Sequence, residues 1–309
     1  MTMTFKSILC PVDFSEESRN ALRFAAAFAV KFEGSVTVLN VVEPLLEHAA
    51  RVRYGLDLPK VETEPALRTF VAETFSAASW LPGMAIEVRV GDAPAVILET
   101  AERQRHDLLV LGTRGLGGFR KLILGSTTER VLREARVPVI AVPGGGVSVA
   151  LEASGPRFTI KSILAATDFS QTASDAVRLA AGFAQSLDVT LLITHVVSPV
   201  VVPSQWQPYV DPADDERVRD AREQLDVWLR ALGVQGEVVI GVGRPADSIA
   251  ATAAKEGAGL IAMGLFGERR RFAPRPGSIA YRVLSDTEVP VMVIPPQASG
   301  DEVPSRASG

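Results

Sequence analysis

Cysteine occurs once in the 309 residues, at Cys10. No disulfide closes within such a chain, and no multi-cysteine metal site can be built. Histidine occurs three times, at His48, His106 and His195, too far apart for metal-ligand spacing. An excess of one sign of charge is also lacking. The formal net charge of −4 excludes a nucleic-acid partner held by bulk electrostatics. No apolar run approaches the roughly 20 residues of a membrane-spanning helix. The first 15 residues carry only Lys6 before a short apolar run and lack the cleavage pattern of a signal peptide. A soluble, cytoplasmic protein is expected. No G-x-x-x-x-G-K-[ST] motif is present, so there is no P-loop. No nucleophile–base–orienter set stands out either, so fast covalent chemistry is not expected.

What is present is a sequence written twice. Lys6-Ser-Ile-Leu-Cys-Pro-Val-Asp13-Phe-Ser15 is echoed by Lys161-Ser-Ile-Leu-Ala-Ala-Thr-Asp168-Phe-Ser170, and Asn40-Val-Val by His195-Val-Val, each 155 positions on. Further along, Gly125-Ser126 is echoed by Gly277-Ser278 and Val137-Pro-Val139 by Val289-Pro-Val291, each 152 positions on. A period this long is a duplicated domain, not a solenoid. The expected division is a first domain over 1–146, a small, polar linker over 147–157, a second domain over 158–296 and a disordered tail over 297–309.

Each copy alternates strand and helix. In the first, 8–12 is a buried strand. Ser15 caps a helix with Glu16 and Glu17 in its first turn, and Gly34 ends that helix. Strands follow at 36–42, 85–90, 108–111 and 139–142, with helices over 63–80, 93–105 and 126–134. Nearly all-apolar strands separated by helices imply two tandem open five-stranded parallel sheets, an α/β fold with helices on both faces. The last strand of each copy is expected at an exposed edge, where the two copies pair as a pseudo-dimer within the chain. A homodimer of the whole chain is a further expectation.

The stretch Gly112-Thr-Arg-Gly115 through Gly125-Ser126 is unusually rich in glycine and follows the fourth strand, not the first. Its position therefore differs from that of a dinucleotide fingerprint. Glycines let a backbone approach a ligand, and a helix N-terminus binds anions. Ser126 at the helix start suits either a cap or a phosphate donor. Arg114, Arg120 and Lys121 add positive charge. In an open parallel sheet ligands bind where strand order reverses. Asp13, at the end of strand one, would share that crevice and serve a hydroxyl- or amine-bearing part of the ligand.

Gly112-x-x-Gly115, nine residues, then Gly125-Ser126, together with "ILCPVDFS", "HDLLVLGTRG" and "VPVIAV", resembles the universal stress protein family across most of both copies. The resemblance implies a fold related to nucleotide α-hydrolases and, as in many members, ATP binding, with Mg²⁺ carried by the phosphates. It implies that Asp13 contacts adenine or ribose, that Val41 lines the adenine pocket, and that Gly112, Thr113, Gly115, Gly125, Ser126 and Thr127 hold ribose and phosphates. It also implies a regulator or sensor with at most slow ATP hydrolysis. The alternative is a stress scaffold that binds no nucleotide and acts through protein–protein contacts.

The second copy keeps the spacing, with Asp168, Val196, Gly264, Gly267, Gly277 and Ser278 at the matching places. Its intervening loop has no glycine, two prolines and four arginines, and Phe266 replaces Arg114. The main site is therefore expected in the first copy. Cys10 is read as core. His106 is read as a cation closing a helix. The stretch 45–60 is read as a flap over the site. Trp206 and Tyr209 in the second copy are read as base-stacking or inter-domain residues.

Overall fold

The computed structural model describes residues 5–55, 57, 59–75, 84–114, 124–145, 148–198, 215–266 and 278–296. The first copy runs β1 (Ser7–Pro11), α1 (Glu16–Phe32), β2 (Ser35–Val42), α2 (Pro44–Tyr54), α3 (Glu64–Thr74), β3 (Met84–Val90), α4 (Ala93–Arg103), β4 (Leu108–Gly112), α5 (Ser126–Glu134) and β5 (Val139–Val142). A hairpin, β6 (Val149–Glu152) and β7 (Gly155–Phe158), leads into the second copy. That copy runs β8 (Ser162–Ala166), α6 (Gln171–Leu187), β9 (Thr190–Val197), α7 (Asp215–Leu232), β10 (Glu237–Val242), α8 (Pro245–Lys255), β11 (Leu260–Gly264), α9 (Ser278–Asp286) and β12 (Val291–Ile294).

The strands form one ten-stranded sheet in the order β10-β9-β8-β11-β12-β5-β4-β1-β2-β3. Within each copy all pairs are parallel, and the copies join where β12 pairs antiparallel with β5. Strand order reverses between β1 and β4, and again between β8 and β11. Each reversal opens a crevice at the carboxyl ends of the strands. The strands divide their side chains between two faces. Ile8, Cys10 and Val12 join the core beneath α1 and α3. Leu9, Leu109 and Leu111 join the core beneath α4 and α5. Cys10 is fully buried, and burial pushes its thiol pKa up, away from reactivity.

The repeat offsets reveal a pseudo-twofold axis. Ile140 pairs with Met292, its own counterpart 152 positions on, and Val139 and Ala141 pair crosswise with Val293 and Val291. Tyr281 donates its hydroxyl to the carbonyl of Glu129, again its counterpart, at 3.1 Å. Burial, assisted by the Glu129 carboxylate and opposed by Arg133, pushes the Tyr281 pKa up to about 12, so the phenol keeps its proton. Phe28 stacks on its counterpart Phe183 at 4.6 Å and 17°. An interface in which residues meet their own equivalents is isologous, the geometry of a twofold dimer made within one chain.

Residues 147–157, read as a linker, include most of the β6–β7 hairpin. Glu152 and Arg157 clamp it at 2.7 Å, and Phe158 inserts edge-on against Phe28 and Phe183. Other expectations need correction. The stretch read as a flap contains helix α2, with Pro44 in its first turn and Gly55 as a left-handed cap. Helix α1 ends on Glu33 in the left-handed region, one residue before Gly34. The helix expected over 63–80 begins at Glu64 and is described to Thr74, with 76–80 outside the described residues. Trp206, Tyr209 and the tail also lie outside them.

His106 is not a helix-closing cation. It is buried beyond the end of α4. Nε2 lies 3.2 Å from Gln104 Oε1, an acceptor, so Nε2 carries the proton and Nδ1 accepts from the Ser7 hydroxyl at 2.9 Å. Burial pulls its pKa below the ordinary 6.5, against the pull of Glu87, Asp107 and the Ser7 backbone. The unfolded imidazole therefore takes a proton first. Its contribution to stability is complete above pH 6.5 and declines as pH falls below that value. A His106→Gln variant is expected to lose less thermal stability than the parent between pH 7.5 and pH 5. Parallel melting curves at the two pH values check this, and equal losses would contradict it.

Candidate functional site

The crevice of the first copy is built from two turns. After β1, the Val12 carbonyl accepts from Asn40 Nδ2 at 2.8 Å, and the Val12 N–H donates to the Leu39 carbonyl at 2.8 Å. These bonds hold the residue before Asp13. Asp13 Oδ1 then accepts from the Ser15 backbone N–H at 3.1 Å and from the Ser15 hydroxyl. Ser15 in turn caps α1, accepting from the Ser18 N–H at 3.2 Å. Asp13 is therefore not the helix cap. It forms an Asx turn onto the cap residue, which fixes its carboxylate beside the helix end. Between them Phe14 adopts φ +67°, a left-handed conformation costly for a bulky side chain. Its ring packs edge-on against Phe70 at 5.5 Å.

The second turn follows β4. A Cβ on Gly112 would sit 2.9 Å from Glu17 Cβ and 3.0 Å from the Glu17 carbonyl carbon. This glycine is thus demanded by the close approach of α1. Thr113 is buried. Its N–H donates to Val142 O at 3.0 Å, and its carbonyl accepts from the Gly125 N–H at 2.9 Å. That last bond closes the neck of the glycine-rich loop. Gly125 is the residue that caps α5, and it supplies no side-chain bond. Ser126 is therefore the first helical residue and not the cap, and it is exposed. Thr127 is half-buried, while Thr128 turns back to donate to the Gly112 carbonyl at 2.8 Å. Gly125 leaves the first-turn N–H groups of α5 without a bond from the cap side chain, at the positive end of the helix dipole. Arg114 stands at the loop neck with Nε 3.8 Å from Glu17 Oε1. Val41 is half-buried on β2 and packs toward the α4–α5 face. Gly115, Arg120 and Lys121 lie outside the described residues.

In the second copy, Asp168 Oδ1 accepts from the Ser170 N–H at 3.1 Å, and Phe169 repeats the left-handed turn at φ +65°. His195 takes the place of Asn40. Its Nδ1 lies 2.9 Å from the Thr167 carbonyl and so donates to it. Its ring lies 4.6 Å from that of Phe169. Gly264 repeats the role of Gly112, its missing Cβ 2.9 Å from Thr172 Cβ. Val196 is half-buried on β9, facing the same core as Val41. Ser278 opens α9. Gly267 and Gly277 lie outside the described residues.

The sequence assigned no role to Asn40, and to Glu17 only that of an acid in the first turn of α1. Asn40 was detectable, because the Asn40/His195 echo puts two side-chain donors at one structural position. Among the described residues no group of three His, Cys, Asp or Glu side chains is placed to hold a metal ion, and no helix is long and apolar enough to cross a membrane.

A doubly wound parallel sheet, written twice and joined edge to edge, with a fixed carboxylate at each reversal of strand order, defines a tandem α/β protein whose candidate sites are those two crevices. The family model of the universal stress proteins matches residues 4–143 and 159–295. The chain belongs to the universal stress protein family and carries two of its domains in tandem. Universal stress protein MJ0531 of Methanocaldococcus jannaschii is 32% identical over 142 residues, covering 45% of this chain and 82% of that one. A universal stress protein of Mycolicibacterium smegmatis is 25% identical over 300 residues, covering 94% of this chain and 97% of that one. The crystal structure of a universal stress protein from Archaeoglobus fulgidus superposes with a TM-score of 0.63 at 24% identity, covering 94% of this chain and 97% of that one. That last likeness bears on the fold alone.

Proposed function

We propose that the first crevice binds an adenine nucleotide, ATP in the first instance, and that the chain is a nucleotide-responsive stress regulator with at most slow hydrolysis. The carrying observation is the end of α5, which lacks a side-chain cap and is closed at its neck by the Gly125–Thr113 bond, beside Arg114 at the reversal of strand order. First-turn N–H groups at a helix start and a guanidinium suit phosphates. Asp13, held across the crevice by its Asx turn, suits ribose hydroxyls or the adenine amine. Gly112, Thr113, Gly115, Gly125, Ser126 and Thr127 form the phosphate side of this reading, and Val41 lies toward the base. Mg²⁺ would accompany the phosphates. The second crevice, around Asp168, Val196, Gly264, Gly267, Gly277 and Ser278, has Phe266 in place of Arg114 and is the weaker site.

Calorimetric titration with Mg–ATP is expected to show saturable binding. Arg114→Ala should weaken it about tenfold or more, the worth of one charge-assisted contact. Absence of saturable heat in the parent chain would overturn the reading. The scaffold alternative draws on α2, which leaves Leu45, Leu46, Val52 and Tyr54 exposed. Exposed apolar side chains of this size suit a protein partner, a second copy of the chain included.

A further inference from the structure

The two copies tie the exit of their fourth strand to the first turn of their first helix, α1 or α6, by different chemistry. In the first, the tie is ionic, Glu17 to Arg114. In the second, the counterparts are Thr172 and Phe266, and the Thr172 hydroxyl donates to the Phe266 carbonyl at 2.5 Å. The place of Glu17 is purpose-shaped. A Cβ on Gly112 would meet Glu17 Cβ at 2.9 Å, and a Cβ on Gly144 would meet Glu17 Oε1 at 2.7 Å. Two glycines at the ends of adjacent strands thus make the slot in which the carboxylate lies. Its side chain is 23% exposed and that of Arg114 is 19% exposed, so solvent screens the pair only in part. The 3.8 Å separation is an ion contact and too long for a hydrogen bond. A hydrogen bond to a backbone carbonyl has no charge for an anion to displace. An ion contact of this length does: a phosphate can take the guanidinium with two shorter bonds.

We infer that Glu17 is a specificity-determining residue of the first crevice. It competes with the phosphates of the ligand for Arg114 and so restrains the preference for highly charged ligands. The inference rests on the nucleotide reading of that crevice. With Glu17 present, the pair contributes no net charge where the phosphates arrive, and each added phosphate meets a carboxylate beside its arginine. Asp13 on the neighbouring turn adds a negative charge on the same side. The second crevice has no charge at either position of the tie, so its counterpart substitution has nothing to unmask.

The test is a comparison of the parent with Glu17→Gln and with Glu17→Gln/Arg114→Gln, titrated with ATP, AMP and inorganic tripolyphosphate at one ionic strength. Removing one carboxylate near the phosphates is worth about tenfold after partial screening. Glu17→Gln should therefore raise affinity for ATP and for tripolyphosphate by about tenfold, with AMP changing about twofold or less, and the gain should vanish in the double variant. If ATP and AMP bind and shift by the same factor, or not at all, Glu17 has no role in selectivity while the nucleotide reading stands. If tripolyphosphate shows the Glu17 effect and no nucleotide binds, the competition of Glu17 with phosphates for Arg114 stands, while the nucleotide reading and the residue's role in nucleotide selectivity fall. If none of the three binds, both are overturned.

Discussion

Replacing Phe28 by alanine is expected to destabilise the chain by about 3–5 kcal/mol, the usual cost of truncating a buried phenylalanine. Phe28 is fully buried and flanks the pseudo-twofold axis, stacked on its counterpart Phe183. It also meets Phe5, Phe24, Phe32 and Phe158 at centroid distances between 5.1 and 5.8 Å. These rings come from α1, the N-terminal segment, the hairpin and α6. The cavity would therefore open between the two copies, where backbone from both must move to refill it. Against a total stability of about 5–15 kcal/mol, this loss is large. Denaturant titration should show a much lower midpoint, and the two copies should lose their mutual protection together. A loss under about 1 kcal/mol would mean that the copies do not share this core.

A second large effect is expected at Gly112, and its contrast with Gly125 is informative. A methyl group on Gly112 meets the backbone and Cβ of Glu17 at 3.0 Å or less, and helix α1 cannot retreat without disturbing Ser15 and Asp13. Overpacking of this kind costs about 1–3 kcal/mol, so Gly112→Ala should melt several degrees lower. Gly125 has φ −63° and ψ 143°, ordinary values for any residue. Among the described residues a Cβ there has its nearest contact at 3.4 Å, so Gly125→Ala should melt within about a degree of the parent. The glycines shared by the family motif therefore serve different ends. Gly112 admits a helix, and Gly125 stands at the start of α5 without a side-chain cap bond. Equal melting temperatures for the two variants would contradict this division.

The alternation of strand and helix was legible because apolar runs of five to eight residues and helical spacing were both strong. The Ser15 cap and the full extent of α5, Ser126–Glu134, were readable from local chemistry alone. Helix α2 was not read, although Pro44 and Gly55 bracket it, because its large apolar side chains are exposed and only Glu47 and Ala50 are buried. The hairpin was hidden for the opposite reason. Its sequence is small and polar, and Phe158, its one large anchor, takes meaning only from rings distant in the chain. The site divides along the same line. Asp13 and the glycine loop were visible as local motifs. Asn40 bonds across a strand pair, and Glu17 is placed by the packing of α1 on β4 and β5, contacts that no local window contains.

The central claim is that the first crevice holds an adenine nucleotide. Its most direct test is mass spectrometry of the small molecules released when the purified full-length chain is denatured, with Arg114→Ala prepared in parallel. The account predicts an adenine nucleotide, up to about one equivalent per chain, from the parent and a clear depletion in the variant. Release of no nucleotide from the parent, with no binding of added ATP at millimolar concentration, would contradict it and leave the chain as a scaffold.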